Sequence, residues 1–142
     1  NLLMTDSQSS SGGSGVILIV ERDPHVRELQ TFFLTQAGYA VEFADDGAAA
    51  LERVARLRPH LVIAEVLISK LDGLALCRRL KEDPDNRGVM ILIFSILAAG
   101  GRSREAGADG FLLKPLAERR LLDCVEKLMK KRAEVLSGEK SE

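Results

Sequence analysis

The sequence predicts an α/β domain built on a parallel sheet, and three observations carry that expectation. From Val16 onward, short apolar runs alternate with amphipathic stretches about five times, the pattern of repeated βα units. Four of the runs, Val16 to Val20, Leu61 to Ala64, Val89 to Phe94 and Phe111 to Leu113, stop at Glu21-Arg22-Asp23, Glu65, Ser95 and Lys114 in turn. In parallel strands these ends share one sheet edge, where open α/β folds bind their ligands. The length of 142 residues, 46% hydrophobic and 29% charged, suits one soluble domain with one core.

Residues 1–15 end in Ser9-Ser10-Ser11-Gly12-Gly13-Ser14-Gly15 and read as a flexible leader or linker. The domain itself is expected over residues 16–132. Val16 to Val20 is the first strand. Asp23 suits a helix cap, Pro24 suits the first helical position, and Val26, Leu29, Phe33 and Ala37 follow at helical spacing until Gly38. A second strand spans about Tyr39 to Ala44. Asp45-Asp46-Gly47 then turns into a helix carrying Leu51 and Val54, which Pro59 ends.

Leu61 to Glu65 is the third strand, and Gly73 to about Lys81 forms a helix through Leu76, Cys77 and Leu80. A loop at Asp83-Pro84-Asp85-Asn86 leads to a fourth strand over Val89 to Ser95. The segment from Ala98 to Gly107 has room for a turn or two of helix, and Gly100-Gly101 weakens its start, so the fourth helix is expected to be short, displaced or mobile. Gly110 to Leu113 is the fifth strand. The last helix runs from Ala117 to about Arg132 on a stripe of Leu121, Leu122, Val125, Leu128 and Met129, and residues 133–142 read as a polar tail.

Composition narrows the function. Twenty Lys plus Arg against 21 Asp plus Glu leave no global field for nucleic acid or an anionic membrane, so the expected partners are proteins or small ligands. Lys127, Lys130, Lys131 and Arg132 are read as cations complementing a helix carboxyl terminus. Cys77 and Cys124 lack metal or redox spacing and are expected as buried apolar residues. No run reaches the roughly 20 residues that cross a bilayer; the cytoplasm is the expected compartment. His25, in the first turn of the first helix, and His60, ahead of strand three and at the edge away from the strand ends, are expected as exposed structural histidines.

Taken together, Val16-Ile17-Leu18-Ile19-Val20-Glu21-Arg22-Asp23-Pro24, Gly38-Tyr39 with Ala44-Asp45-Asp46-Gly47, Leu61-Val62-Ile63-Ala64-Glu65 with Leu71-Asp72-Gly73, and Ala106-Gly107-Ala108-Asp109-Gly110-Phe111-Leu112-Leu113-Lys114-Pro115 resemble the receiver domain of bacterial response regulators. The resemblance covers about Val16 to Arg132. It implies a flavodoxin-like five-stranded sheet in the order 2-1-3-4-5 with helices on both faces. It also implies a site in which strand three ends in a phosphate-accepting aspartate, acids after strand one help hold Mg²⁺, strand four ends in Thr or Ser, and strand five ends in Lys before a cis proline. Ser95 and Lys114 match as phosphate-contact or switch positions, and Pro115 becomes the candidate cis proline. Phe111 stands where an aromatic ring moves on switching, and plain core packing is the equal alternative.

Two positions depart from the pattern. Glu65 replaces the phosphoacceptor aspartate, and the first-strand acids read Glu21-Arg22, followed by Asp23. Glutamate places the same carboxylate one methylene farther out, a displacement of about an ångström, which costs on the order of 10²-fold in a reaction that needs in-line geometry. Mg²⁺ requires hard oxygen ligands in near-octahedral geometry. Arg22 stays cationic, and at about 4 Å and an effective dielectric near 20 it would oppose a unit charge by roughly 4 kcal/mol. Lys114, and Arg22 if it turns inward, would instead neutralise Glu65 directly. Alternatively Arg22 points to solvent and Asp23 supplies a second acid. Ser69 also stands where a proline is common, and the loop and helix after Ser95 are short for the family.

The expected function is therefore a receiver-type signalling domain, not an enzyme, of a two-component or phosphorelay system. The leading reading is a pseudo-receiver that binds a protein partner such as a histidine kinase, a phosphotransfer protein or an output domain, with no cofactor. The alternative is a receiver phosphorylated on Glu65 or a shifted acid, with Mg²⁺. A homodimer stays open, although the short fourth helix disfavours the usual mode. A flavodoxin-like nucleotide or flavin binder is the third reading, weakened because the first strand-to-helix turn has no Gly-rich phosphate loop. No helix-turn-helix follows, so no direct nucleic-acid role is expected.

Overall fold

The computed structural model describes residues 14–141, with side chains described through residue 138. Residues 1–13, most of the expected leader, lie outside the described residues. Five strands, β1 (Val16–Val20), β2 (Ala40–Ala44), β3 (Leu61–Ala64), β4 (Met90–Ser95) and β5 (Gly110–Leu113), alternate with five helices, α1 (Pro24–Gln36), α2 (Gly47–Leu57), α3 (Gly73–Glu82), α4 (Gly100–Glu105) and α5 (Glu118–Ser141). A 3₁₀ turn at Pro84–Asn86 precedes β4. All strand pairs are parallel and the sheet order is β2-β1-β3-β4-β5.

Strand position shows in burial. Leu61–Ala64 and Met90–Ser95 are buried at every residue and occupy interior positions, whereas β2 and β5 expose residues and form the edges. Alternate side chains along each strand feed two cores. Ile17, Ile19, Leu61, Ile63 and Leu92 pack with Leu34 of α1 and Leu121 and Val125 of α5. Leu18, Val20, Val62, Ile91 and Ile93 pack with Val54 of α2 and Leu76 and Leu80 of α3.

The helices that start near the candidate edge are capped by aspartates. Asp23 Oδ1 accepts from His25 N at 2.9 Å and Val26 N at 3.4 Å, Asp46 Oδ1 accepts from Ala49 N at 2.8 Å, and Asp72 Oδ1 accepts from Ala75 N at 2.8 Å. Helix α4 has no side-chain cap and spans six residues, which agrees with the expected short fourth helix. The loop between β3 and α3 folds tightly over β3: Gly73 N donates to Val66 O at 2.9 Å, and a Cβ at Gly73 would lie 2.3 Å from Glu65 O.

Three expectations are corrected. Helix α5 continues past Arg132 to Ser141, so residues 133–141 are helical and not a polar tail. The continuation is anchored, since Val135 packs on the α1–α5 core and Arg132 Nε donates to Gly88 O at 2.6 Å. Gly15, expected in the leader, is already part of the sheet edge through its carbonyl, which accepts from Ala40 N at 2.9 Å. His60 is half-buried, because its Nδ1 accepts from Val16 N at 3.1 Å; His25 is exposed as expected. Cys77 is buried and Cys124 half-buried, and both are free thiols.

Candidate functional site

The carboxyl ends of β1, β3, β4 and β5 bring Glu21, Glu65, Ser95 and Lys114 together. Backbone pairing sets their level: Glu65 N donates to Val20 O at 3.1 Å and Lys114 N donates to Ser95 O at 2.8 Å, which continue the ladders by one residue past the ends of β3 and β5. Glu21, Glu65 and Ser95 are 2%, 4% and 0% exposed, so these polar groups are removed from water and must be satisfied within the protein.

They are. Lys114 Nζ donates to Glu21 Oε1 at 2.9 Å and lies 2.9 Å from Glu65 Oε1. Glu65 Oε1 also accepts from Ile96 N at 3.2 Å, and Oε2 accepts from Leu67 N at 3.2 Å and from the Ser95 hydroxyl. Ser95 Oγ in turn accepts from Leu97 N at 3.1 Å. Glu21 Oε2 accepts from Asp23 N at 3.1 Å. The Lys114 ammonium sits 5.5 Å from the centroid of the Phe94 ring, a cation–π contact.

Electrostatics follow this geometry. Burial by itself pushes the Glu65 carboxyl up, but the Ser95 hydroxyl, the Lys114 ammonium and the Leu67 N–H outweigh it and hold the group below its ordinary value. Burial pulls the Lys114 amine down, yet its bonds to Glu65 and Glu21 prevail and raise it above the usual lysine value. Both partners thus favour the charged state, a carboxylate bound by four donors and an ammonium shared by two carboxylates.

Arg22 is exposed at the rim, so the inward-pointing alternative is set aside. Asp23, the second acid of the outward alternative, uses its Oδ1 to cap α1, and the His25 N–H holds its carboxyl below the usual range. The Lys114–Pro115 bond is cis. Phe111 is half-buried against the core cluster that contains α2 and α3, beside a cavity of about 390 Å³ lined by Gly100, Ser103, Arg104 and Asp109.

Sequence reasoning missed Arg27. Its Nη1 donates to Glu21 O at 3.1 Å and lies 3.7 Å from Asp45 Oδ1, and the guanidinium stands 5.6 Å from the Phe43 ring centroid. The available signal was helical spacing, since Arg27, Gln30 and Leu34 fall on one stripe and the latter two are buried. The Leu67 and Ile96 N–H groups were also missed, because a backbone donor leaves no mark in residue identity.

The carboxylates that would hold a Mg²⁺ are Glu21 and Glu65, with Asp23 at the rim; here both Glu21 and Glu65 are paired with the Lys114 ammonium. Among the described residues no group of three or more His, Cys, Asp or Glu is placed to hold a metal ion.

A 2-1-3-4-5 parallel sheet with acids after β1 and β3, a hydroxyl ending β4 and a lysine before a cis proline after β5 defines a receiver-type signalling domain. The response regulator receiver domain family matches residues 17–126, and the chain belongs to that family. It is 40% identical over 119 residues to response regulator MprA of Mycobacterium leprae, an alignment covering 81% of this chain and 51% of that protein. The chain therefore spans about half the length of the relatives of that name. Among solved structures, the signal receiver domain of a signal transduction histidine kinase from Syntrophus aciditrophicus is 38% identical, with a TM-score of 0.77 over 82% of this chain and 91% of that one. A putative response regulator from Chloroflexus aurantiacus is 30% identical, with a TM-score of 0.79 over 83% of this chain and 99% of that one.

Proposed function

We propose that this receiver domain is a pseudo-receiver, held in one state by side-chain ion pairs and acting through protein contacts instead of aspartyl phosphorylation. The observation that carries the reading is the saturation of Glu65. Its two oxygens take the Ser95 hydroxyl, the Lys114 ammonium and the Leu67 and Ile96 N–H groups, the donors that would otherwise be free for an incoming phosphoryl group. Phosphorylation at Glu65 would require that set to be broken, with Ser95 and Lys114 turned from the carboxylate to the phosphoryl oxygens.

The same arrangement supports an activated-mimic state. A longer acid that already draws Ser95 and Lys114 to itself places negative charge where phosphorylation would add it. The partner is then a protein such as a histidine kinase, a phosphotransfer protein or an output domain, met in the cytoplasm, with no direct nucleic-acid or membrane contact by this chain and no Mg²⁺ requirement. No helix among the described residues is long and apolar enough to cross a membrane.

Intact-mass analysis after incubation with a small phosphodonor and Mg²⁺ tests this reading, with Glu65→Asp run alongside. Wild type is expected to stay unmodified. A stable Mg²⁺-dependent phosphoryl addition on Glu65 would overturn the pseudo-receiver reading in favour of a phosphorylatable receiver.

A further inference from the structure

The amino-terminal edge of the sheet, opposite the Glu65 site, is joined through one residue. The His60 N–H donates to Val16 O at 2.9 Å and its carbonyl accepts from Met90 N at 2.9 Å, which sets the start of β3 between β1 and β4. The imidazole adds a further link, with Nδ1 accepting the Val16 N–H at 3.1 Å. A ring nitrogen that accepts a hydrogen bond carries no proton, so the ring in this state is neutral and protonated at Nε2.

The surroundings enforce that state. Gly15 lies beside the ring: a Cβ there would lie 3.1 Å from His60 Cγ, a tight contact, and the Gly15 φ of +133° strains any side chain. His60 also lines a cavity of about 760 Å³ shared with Tyr39 ahead of β2 and with Arg119, Asp123, Glu126, Lys130 and Arg132 of α5. From β1 and β4 it meets backbone groups, the Val16 and Met90 N–H. Burial disfavours the imidazolium, and the Arg132 charge adds to that. Arg132 is fixed in turn by its bond to Gly88 O at 2.6 Å, the point from which α5 continues to Ser141.

We propose that His60 is a protonation-sensitive clasp: the neutral imidazole ties the start of β1 to β3, and its protonation releases Val16 and the distal half of α5. A proton on Nδ1 turns the acceptor into a donor facing the Val16 N–H and places a second cation beside Arg132. The sign is fixed. The folded group titrates below the ordinary histidine value, so the clasp stabilises fully above that value, about 6.5, and is lost as pH falls through the folded pKa.

The test is a pH titration of the full chain by nuclear magnetic resonance, which needs to separate the signals of two histidines. At neutral pH the His60 ring is expected as the Nε2–H tautomer with a protected Val16 amide. Below about pH 6.5, His60 titration is expected to shift the Val16 amide. Exchange at Val16 and at residues 133–138, corrected for its intrinsic pH dependence, should rise about tenfold for each unit separating the clasped and released pKa. His60→Gln keeps an acceptor that does not titrate, and should flatten the profile. An Nδ1–H tautomer, His60 titration that leaves Val16 unchanged, or an undiminished acid response in His60→Gln would overturn the proposal. The wild-type measurements decide it even where the variant folds poorly.

Discussion

At the scale of single residues, Lys114 and Glu65 carry unequal shares of the site. Glu65→Gln leaves Lys114 with Glu21 but sets an NH₂ group against partners that themselves donate, so the loss is that of a charge-assisted bond and one satisfied donor, about 2–3 kcal/mol. Lys114→Met leaves two nearly buried carboxylates facing each other without a cation. Breaking a buried pair in that way costs about 3–5 kcal/mol. Urea unfolding at neutral pH is expected to rank Lys114→Met as the more damaging change, and equal or reversed effects would contradict the arrangement.

The same groups set the pH response. The Glu65 pKa is depressed in the folded state, so its contribution is present above the unfolded glutamate value, about 4.3, and is lost as pH falls through the folded pKa. Lys114 behaves in the opposite sense: its raised pKa makes its contribution complete below the unfolded lysine value and lost as pH rises through the folded one. Urea midpoints across the acid range are expected to fall more steeply for wild type than for Glu65→Gln, and parallel curves would remove the Glu65 contribution.

The chemistry of these positions was legible in part. Residue types at the strand ends announced an acid, a hydroxyl and a lysine, and the exchange of aspartate for Glu65 was plain. That Lys114 would bridge Glu65 to Glu21 was not legible, because Arg22 offered a competing cation and only the three-dimensional direction of the two side chains separates them. The His60 expectation failed for a related reason. A histidine ahead of a strand reads as exposed by position, while its Nδ1 was in fact needed by the Val16 N–H 44 residues earlier in the chain.

At the scale of elements, the loop between β3 and α3 is the most constrained support of the site. Gly73→Ala would drive a Cβ to 2.3 Å from Glu65 O, a backbone atom that cannot step aside cheaply. A destabilisation of about 2 kcal/mol or more is expected, within the 1–3 kcal/mol typical of overpacking at its upper end, together with shifted Leu67 and Ile96 amide resonances. Gly101 is the contrast. It lies in α4 with nothing within 4 Å of the place a Cβ would take, so Gly101→Ala is expected to stabilise by up to about 1 kcal/mol through helix propensity and reduced unfolded-state entropy. Thermal unfolding of the pair measures both, and a destabilised Gly101→Ala would show that α4 needs its glycines for another reason.

Element boundaries were legible where punctuation was strong. Asp23-Pro24, Asp46-Gly47 and Asp72-Gly73 each opened a helix where expected, since the aspartate supplies the cap and the next residue fits the first turn. Helix α5 had no such stop. The polar residues after Arg132 read as a tail because sequence pattern registers amphipathicity, and the packing of Val135 on the core and the Arg132–Gly88 bond appear only once α5 is laid on the sheet.

At the scale of the whole molecule, the parallel sheet was legible because short apolar runs alternate with amphipathic helical stretches, a pattern that survives any local error; which strands lie at the edges shows only in burial, since β5 is as apolar as the interior strands. The receiver class then follows from the order of elements and the family match together. What the molecule does with that fold turns on whether Lys114 keeps both Glu21 and Glu65 paired.

The direct measurement is a crystal structure determined after soaking in Mg²⁺. The account expects Lys114 Nζ to remain within hydrogen-bond distance of both Glu21 and Glu65, with no ion between them. An Mg²⁺ coordinated by Glu65 and by Glu21 or Asp23, with Lys114 displaced, would contradict it.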